Sequence, residues 1–282
     1  MALKNQILKI ISRVFFNNKV KALCTVNDKN INTYKIQNWQ ISILRDMDWA
    51  FNNGIYYEIN VEYWLNKILK EIKDPILYDI GSNYGYYSVI FSSITKRIYS
   101  FEPVGDTYKI LRRNIKCNKL PNVQLFNIAL SDKKETTFIN VYSSSGNNSM
   151  FKREIPVDHP TKYLKKIKIK TDTIDSLIKE GIISVPNIIK IDVEGAELNV
   201  LNGAMNTIKE FHPILLVEYS ETTSKDAGYS CRDIYDFINS CDYTIYGLSE
   251  NCSDLSLIPF EVGSNVPISN ILAFPKQYKI PQ

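Results

Sequence analysis

The chain predicts an α/β fold built on an open, mostly parallel sheet, and three observations carry that prediction. Short apolar runs bounded by turn residues recur at 76–80, 97–101, 123–127, 187–192 and 213–219, with helical patterns between them. Leu198, Leu201, Met205 and Ile208 fall three or four apart, as one stripe of a helix lying on a sheet does. The run Pro213-Ile214-Leu215-Leu216-Val217 has no polar alternation, which fits a strand covered on both faces.

The first two strands carry the most specific pattern. Tyr78-Asp79-Ile80-Gly81-Ser82-Asn83-Tyr84-Gly85 ends one strand in a carboxylate and two glycines, and Phe101-Glu102-Pro103 ends the next in an acid. Glycines let the backbone turn off a strand and let a ligand approach the main chain. A carboxylate at the end of the second strand can accept two hydrogen bonds from a ribose diol. The spacing lacks the Gly-x-Gly-x-x-Gly cradle that holds a pyrophosphate. A turn offering a carboxylate in that place suits a cationic ligand without phosphate, and S-adenosylmethionine has that chemistry.

Further along, Ile174, Leu177 and Ile178 lie between a cap at Asp172 or Thr173 and a stop at Gly181. Ser230 with Asp233 reads as a capping box ahead of Ile234, Phe237 and Ile238. Residues 131–170 break the alternation. They hold strands at Thr136–Val141 and Lys165–Lys170 around a Ser/Gly/Asn-rich stretch, and are expected to form an insertion or active-site cover. The predicted strand at 187–192 leads into Lys190-Ile191-Asp192-Val193-Glu194-Gly195-Ala196-Glu197, and the one at 213–219 carries Glu218 at its end. Ligands of open parallel sheets sit beyond the carboxyl ends of the strands, so Asp79, Glu102, Asp192 and Glu218 should converge there.

Composition bounds the rest. With 282 residues, 44% hydrophobic and 23% charged, the chain is long enough for a sizeable core. One domain over 71–282 behind a helical or irregular extension over 1–70 is expected. A net charge of +4 is too mild to argue for nucleic acid. Five cysteines without a Cys-x-x-Cys pair point to reduced thiols in a cytoplasm, and His159 and His212 read as loop or packing residues. No stretch approaches the roughly 20 apolar residues of a membrane span. Residues 1–20 read as an amphipathic helix that packs on the domain or a partner subunit, or else touches an anionic membrane. Self-association as a homo-oligomer stays open.

Taken together, Ile76–Gly85, Phe101-Glu102-Pro103, Asn127–Asp132, Lys170–Asp175, Ile189–Glu197 and Val217-Glu218 resemble the FkbM-type family of S-adenosylmethionine-dependent methyltransferases, over about residues 70–275. The resemblance implies a Rossmann-like, seven-stranded methyltransferase sheet with helices on both faces and an antiparallel last strand, for which Asn270–Pro275 is the candidate. It implies O-methylation, often of sugars or polyketide-derived hydroxyls. It assigns Asp79, Gly81, Ser82, Asn83 and Gly85 to the methionine part of the cofactor. Glu102 would bind the ribose, Asn127 and Ala129 would flank the adenine, and Ser149 and Glu197 would contact the acceptor.

For the chemistry, Asp192 is the first choice of base, with Glu194 or Glu218 orienting the acceptor and Lys190 stabilising oxyanion character. The competing version gives Asp192, Glu194 and Glu218 to a divalent ion such as Mg²⁺. The favoured acceptor is a carbohydrate hydroxyl on a small-molecule or nucleotide-linked sugar or a surface polysaccharide precursor. The rival readings are an NAD(P)-dependent oxidoreductase and a non-catalytic nucleoside-binding module. RNA methylation is disfavoured, since neither a basic cluster nor an Asn-Pro-Pro-Tyr-type motif is present.

Overall fold

The computed structural model describes residues 21–22, 31–36, 39–44, 58–155, 158–249, 255–263 and 267–281. The amphipathic helix expected at 1–20 lies outside the described residues. The described part of the extension opens with an antiparallel sheet of β1 (Lys21–Ala22), β2 (Ile31–Ile36) and β3 (Trp39–Leu44), where helical or irregular chain was expected. Its signal was present: Trp39, Ile41 and Ile43 alternate with Gln40 and Ser42 two residues after the preceding strand, a hairpin pattern set in an Asn-rich stretch.

Helix α1 (Ile59–Glu71) then leads into β4 (Ile76–Ile80), α2 (Tyr86–Ile90), β5 (Arg97–Phe101), α3 (Gly105–Cys117) and β6 (Val123–Phe126). The short β7 (Ala129–Leu130) and the hairpin of β8 (Glu135–Tyr142) and β9 (Tyr163–Asp172) form a second three-stranded sheet. The chain returns through α4 (Ile174–Lys179), β10 (Ile188–Ile191), α5 (Glu197–Asn202), α6 (Met205–Phe211) and β11 (Ile214–Glu218). It closes with α7 (Glu221–Asp226), α8 (Cys231–Asn239), β12 (Tyr243–Ser249), β13 (Leu257–Pro259) and β14 (Ile268–Pro275).

The main sheet has eight strands in the order β13-β12-β14-β11-β10-β4-β5-β6. Strands β6, β5, β4, β10 and β11 run parallel, and β14 lies antiparallel between β11 and β12. Seven of the eight make the expected sheet. The eighth, β13, pairs with the free edge of β12 and so covers backbone groups that would otherwise be open to pairing.

Both faces of the parallel strands are covered. Leu77, Ile98, Ile188 and Leu216 face α1, α2 and α3, whereas Tyr78, Phe101, Ile189 and Val217 face α4, α5, α6 and α8. Helix α1 buries Val61, Trp64, Leu65, Ile68 and Leu69 in the first of these layers, so the sheet's core begins ahead of residue 71. Each such side chain contributes roughly 1.5–3 kcal/mol by leaving water.

The stripe from Leu198 to Ile208 is divided between α5 and α6, not carried by one helix. The break falls at Gly203, where a Cβ would stand 1.9 Å from the Ser131 carbonyl oxygen. Close approach of that loop sets the break, and spacing alone does not show it. The caps match their signals: Thr173 accepts from the Ser176 N–H, and Ser230 and Asp233 form a capping box.

Candidate active site

A cavity of about 940 Å³ opens at the carboxyl ends of the parallel strands and is lined by the turn after β4, the end of β5, the loop after β10 and the end of β11. At its donor end the chain leaves β4 through Gly81 at φ +78, where a Cβ would meet the Asp192 carbonyl oxygen at 1.8 Å. Only glycine fits, because the turn is pressed against the β10 loop. Asn83, at φ +49, donates its N–H to Glu102 Oε2 at 3.1 Å, while the Val104 N–H reaches Glu102 Oε1 at 2.8 Å. Burial pushes the Glu102 carboxyl up to about 8, against the two backbone donors that lower it. Each oxygen keeps a second lone pair, so this carboxylate can still accept a pair of hydroxyls.

At the opposite end four acids gather. Asp192, Glu194 and Glu218 each bring a carboxylate oxygen within 4.8 Å of the others, and Glu58 lines the same wall. Lys190 Nζ donates to Asp192 Oδ2 at 2.8 Å and lies 4.7 Å over the Tyr87 ring. Burial works to lower the Lys190 ammonium pKa, but the carboxylates of Asp192, Asp79 and Glu58 outweigh it and raise the value. Arg153 Nη1 donates to Glu194 Oε2 at 2.6 Å and to Asn147 Oδ1 at 3.0 Å. Burial raises Glu194 to about 8, with Arg153 pulling the other way. Glu58 accepts from Tyr87 Oη at 2.6 Å and Asn270 Nδ2 at 3.2 Å, and burial, then Asp192, raises its pKa. Glu218 differs from its neighbours: among the described residues its buried Oε2 has no hydrogen-bond partner, and burial together with Glu194 and Asp192 holds its pKa well above the ordinary range.

The 131–170 segment supplies the remaining wall. Ser143–Asn148, Met150, Arg153 and His159–Thr161 line the cavity. Ser145 Oγ donates to Asn83 Oδ1 at 3.0 Å, and Ser149 Oγ donates to the Glu194 carbonyl at 2.6 Å. The segment is thereby tied to both ends of the site.

Of the residues singled out from sequence, Gly81, Ser82, Asn83, Glu102, Ala129, Lys190, Asp192, Glu194 and Glu218 line the cavity. Asp79 does not. It is 1% exposed and sits in register between Ser100 and Lys190, where it accepts from Ser88 Oγ. There it balances the Lys190 charge from beneath. Gly85 caps α2, and Asn127 spends its amide on the carbonyls of Glu102 and Pro103, which fixes the strand end that carries Glu102.

Two residues expected to contact the acceptor, Ser149 and Glu197, are not among those lining the cavity. Ser149 is 1% exposed and serves as the latch to Glu194. Glu197, also 1% exposed, accepts from the N–H groups of Val193 and Gly195 and from Tyr229 Oη, and so shapes the loop from beneath. Burial raises its pKa against those donors. Sequence reading missed Arg153, Glu58, Tyr87 and His159 as wall residues; none stands in a spaced motif.

A five-stranded parallel core with an antiparallel strand inserted before its edge, and a glycine turn facing a strand-end carboxylate, defines a Rossmann-like methyltransferase. The Methyltransferase FkbM domain matches residues 79–245, more than half of the chain, and the chain belongs to that family. Hexuronic acid methyltransferase AglP of Haloferax volcanii is 30% identical over 160 residues, covering 55% of this chain and 60% of that protein. The chain thus spans less than two thirds of that relative's length. The 2-O-methyltransferase NoeI of Sinorhizobium fredii is 24% identical over 183 residues, covering 61% of this chain and 74% of that protein. Among solved structures, the FkbM methyltransferase of Methylobacillus flagellatus aligns with a TM-score of 0.44 at 20% identity, covering 71% of this chain and 43% of that one. The Bacillus cereus O-methyltransferase in complex with SAH gives 0.45 at 14% identity, covering 78% and 80%. No helix among the described residues is long and apolar enough to cross a membrane.

Proposed function

We propose that this methyltransferase uses S-adenosylmethionine to methylate a hydroxyl of a carbohydrate, on a nucleotide-linked sugar or a polysaccharide precursor. The observation that carries the reading is Glu102, held by two backbone N–H groups at one end of a cavity whose other end is a pole of carboxylates. The donor fits that layout, because its ribose diol suits Glu102 and its positive charge suits the acidic pole. The names of the two relatives, one acting on a hexuronic acid and one a 2-O-methyltransferase, support a sugar oxygen as acceptor.

When bound, S-adenosylmethionine supplies an electrophilic methyl: an acceptor oxygen bonds to its carbon as the C–S electron pair returns to sulfur. The chain's own part is to place that oxygen and remove its proton, and placement can supply roughly 7–11 kcal/mol. The Asp192 backbone is pressed against the Gly81 turn, and its carboxylate charge is engaged by Lys190 at 2.8 Å. Glu218 has the uncompensated oxygen and the raised proton affinity, so it takes the hydroxyl proton while Asp192 orients the hydroxyl. Lys190 and Arg153 already provide the positive charge that a divalent ion would bring to Asp192 and Glu194, and the reading routes no step through a metal.

The test is incubation of the full chain with methyl-labelled S-adenosylmethionine and a panel of nucleotide sugars and polysaccharide precursors, followed by mass spectrometry. Label in an ether at a sugar hydroxyl is expected. Label only in methyl esters of uronic acids would overturn the hydroxyl assignment. NADH binding without S-adenosylmethionine affinity would overturn the whole reading.

A further inference from the structure

The outer face of the β8–β9 hairpin takes no part in the cavity, and its chemistry points elsewhere. Paired residues share a face in an antiparallel ladder, so Thr136 with Lys170, Phe138 with Lys168 and Asn140 with Lys166 mark one side. The opposite side, with Ile139, Val141, Ile167 and Ile169, packs on Val104, Ala129 and Met150. Lys166, Lys168 and Lys170 are exposed in a row on the outer side, and the Lys166 ammonium lies 5.1 Å from the centre of the Phe138 ring.

Nearby lysines are neutralised: Lys133 pairs with Glu135, Lys134 with Asp172 and Glu180, and Lys165 with Asp106. Among the described residues no carboxylate pairs with Lys166, Lys168 or Lys170. The same hairpin exposes Phe138, Tyr163 and Leu164 at 46%, 54% and 57%, three of the six large exposed hydrophobics among the described residues. Leu164 sits at the β-bulge, and Tyr163 stands two residues along the chain from Thr161 of the cavity wall.

Unpaired lysines beside exposed aromatic and aliphatic side chains match a surface that is anionic at its headgroups and apolar just beneath them. A soluble polyanion would use the lysines and leave the three apolar side chains in water. We propose that the outer face of β8–β9 docks on an anionic membrane surface. The cavity mouth then lies beside the lipid, where a membrane-borne acceptor would be met; only this consequence rests on the proposed reaction.

The test is co-sedimentation of the full chain with vesicles of phosphatidylcholine alone or with phosphatidylglycerol added. Binding only with phosphatidylglycerol, weakening as salt rises, is expected. Each lysine near such a surface is worth about five-fold, so the combined change Lys166→Gln, Lys168→Gln and Lys170→Gln should weaken binding on the order of 100-fold. Phe138→Ser should give a smaller loss, and circular dichroism of both variants checks the fold. Undiminished binding by the triple variant, loss of binding only on deletion of residues 1–20, or retention on heparin without vesicle binding would each overturn the proposal. None of these readings depends on methyl transfer, so the docking and the reaction fail separately.

Discussion

The two ends of the cavity are built in different ways. At the donor end, Glu102 and the Asn83 N–H meet across 19 residues of chain, inside one strand-helix-strand unit. At the acceptor end, Glu194 is held by Arg153 and Ser149 from 41 and 45 residues away, and Glu58 reaches Asn270 across 212. The donor end is a local device whose parts must stand at fixed spacing. The acceptor end is a balance of charges drawn from the whole fold, in which acids cluster because Lys190 and Arg153 compensate two of them and leave Glu218 open.

Substitutions at the two ends should separate cleanly. The largest effect belongs to Glu218→Gln, which should lower kcat by about 100- to 10,000-fold with donor affinity retained. In the parent, kcat should rise with pH as Glu218 gives up its proton, and this limb should vanish in the variant; an unchanged pH profile would return the proton to Asp192. Glu102→Ala removes the carboxyl that accepts from two hydroxyls and should raise the donor Kd by about 100-fold or more in calorimetry. A comparable fall in kcat at saturating donor would blur the two ends. Arg153→Met should raise the acceptor KM by roughly ten-fold, since it releases Glu194 and Asn147, with the donor Kd moving far less.

Smaller effects concern stability. Glu62, Glu102 and Glu194 are raised by burial to about 7, 8 and 8 from an ordinary 4.5. Between those values the folded chain holds protons that the unfolded chain has released, so donor-free stability should fall as pH rises from about 4.5 to 8. Thermal melts across that range check the sign, and Glu62→Gln should flatten the slope, because the buried Glu62 accepts from Tyr86 Oη at 2.8 Å and is not among the residues lining the cavity. The smallest effect is Thr173→Ala, which removes the cap of α4 and should cost about 1 kcal/mol in denaturant unfolding.

Legibility followed the same division. The strands at 76–80 and 97–101 match β4 and β5 residue for residue, because a buried parallel strand is a continuous apolar run closed by turn residues. Gly81 and Glu102 stood out because their roles depend on position along the chain. Arg153 and Glu58 did not, since an arginine or glutamate in irregular sequence looks the same whether it faces water or a cavity. Glu197 sat inside a matching block and Ser149 in the Ser/Gly/Asn-rich stretch, and the resemblance assigned both to the acceptor. Their side chains instead turn toward the backbone of the 193–195 loop, a direction no spacing encodes.

By itself the sequence determined the parallel core, its caps and the donor turn, all set by hydrophobic period and backbone geometry within a few dozen residues. Only the tertiary structure decided the break at Gly203, the added edge strand β13, the withdrawal of Asp79 beneath the site and the cations that hold the acidic pole. Those depend on which distant atoms come within a few ångströms, and that is fixed by packing of the whole chain.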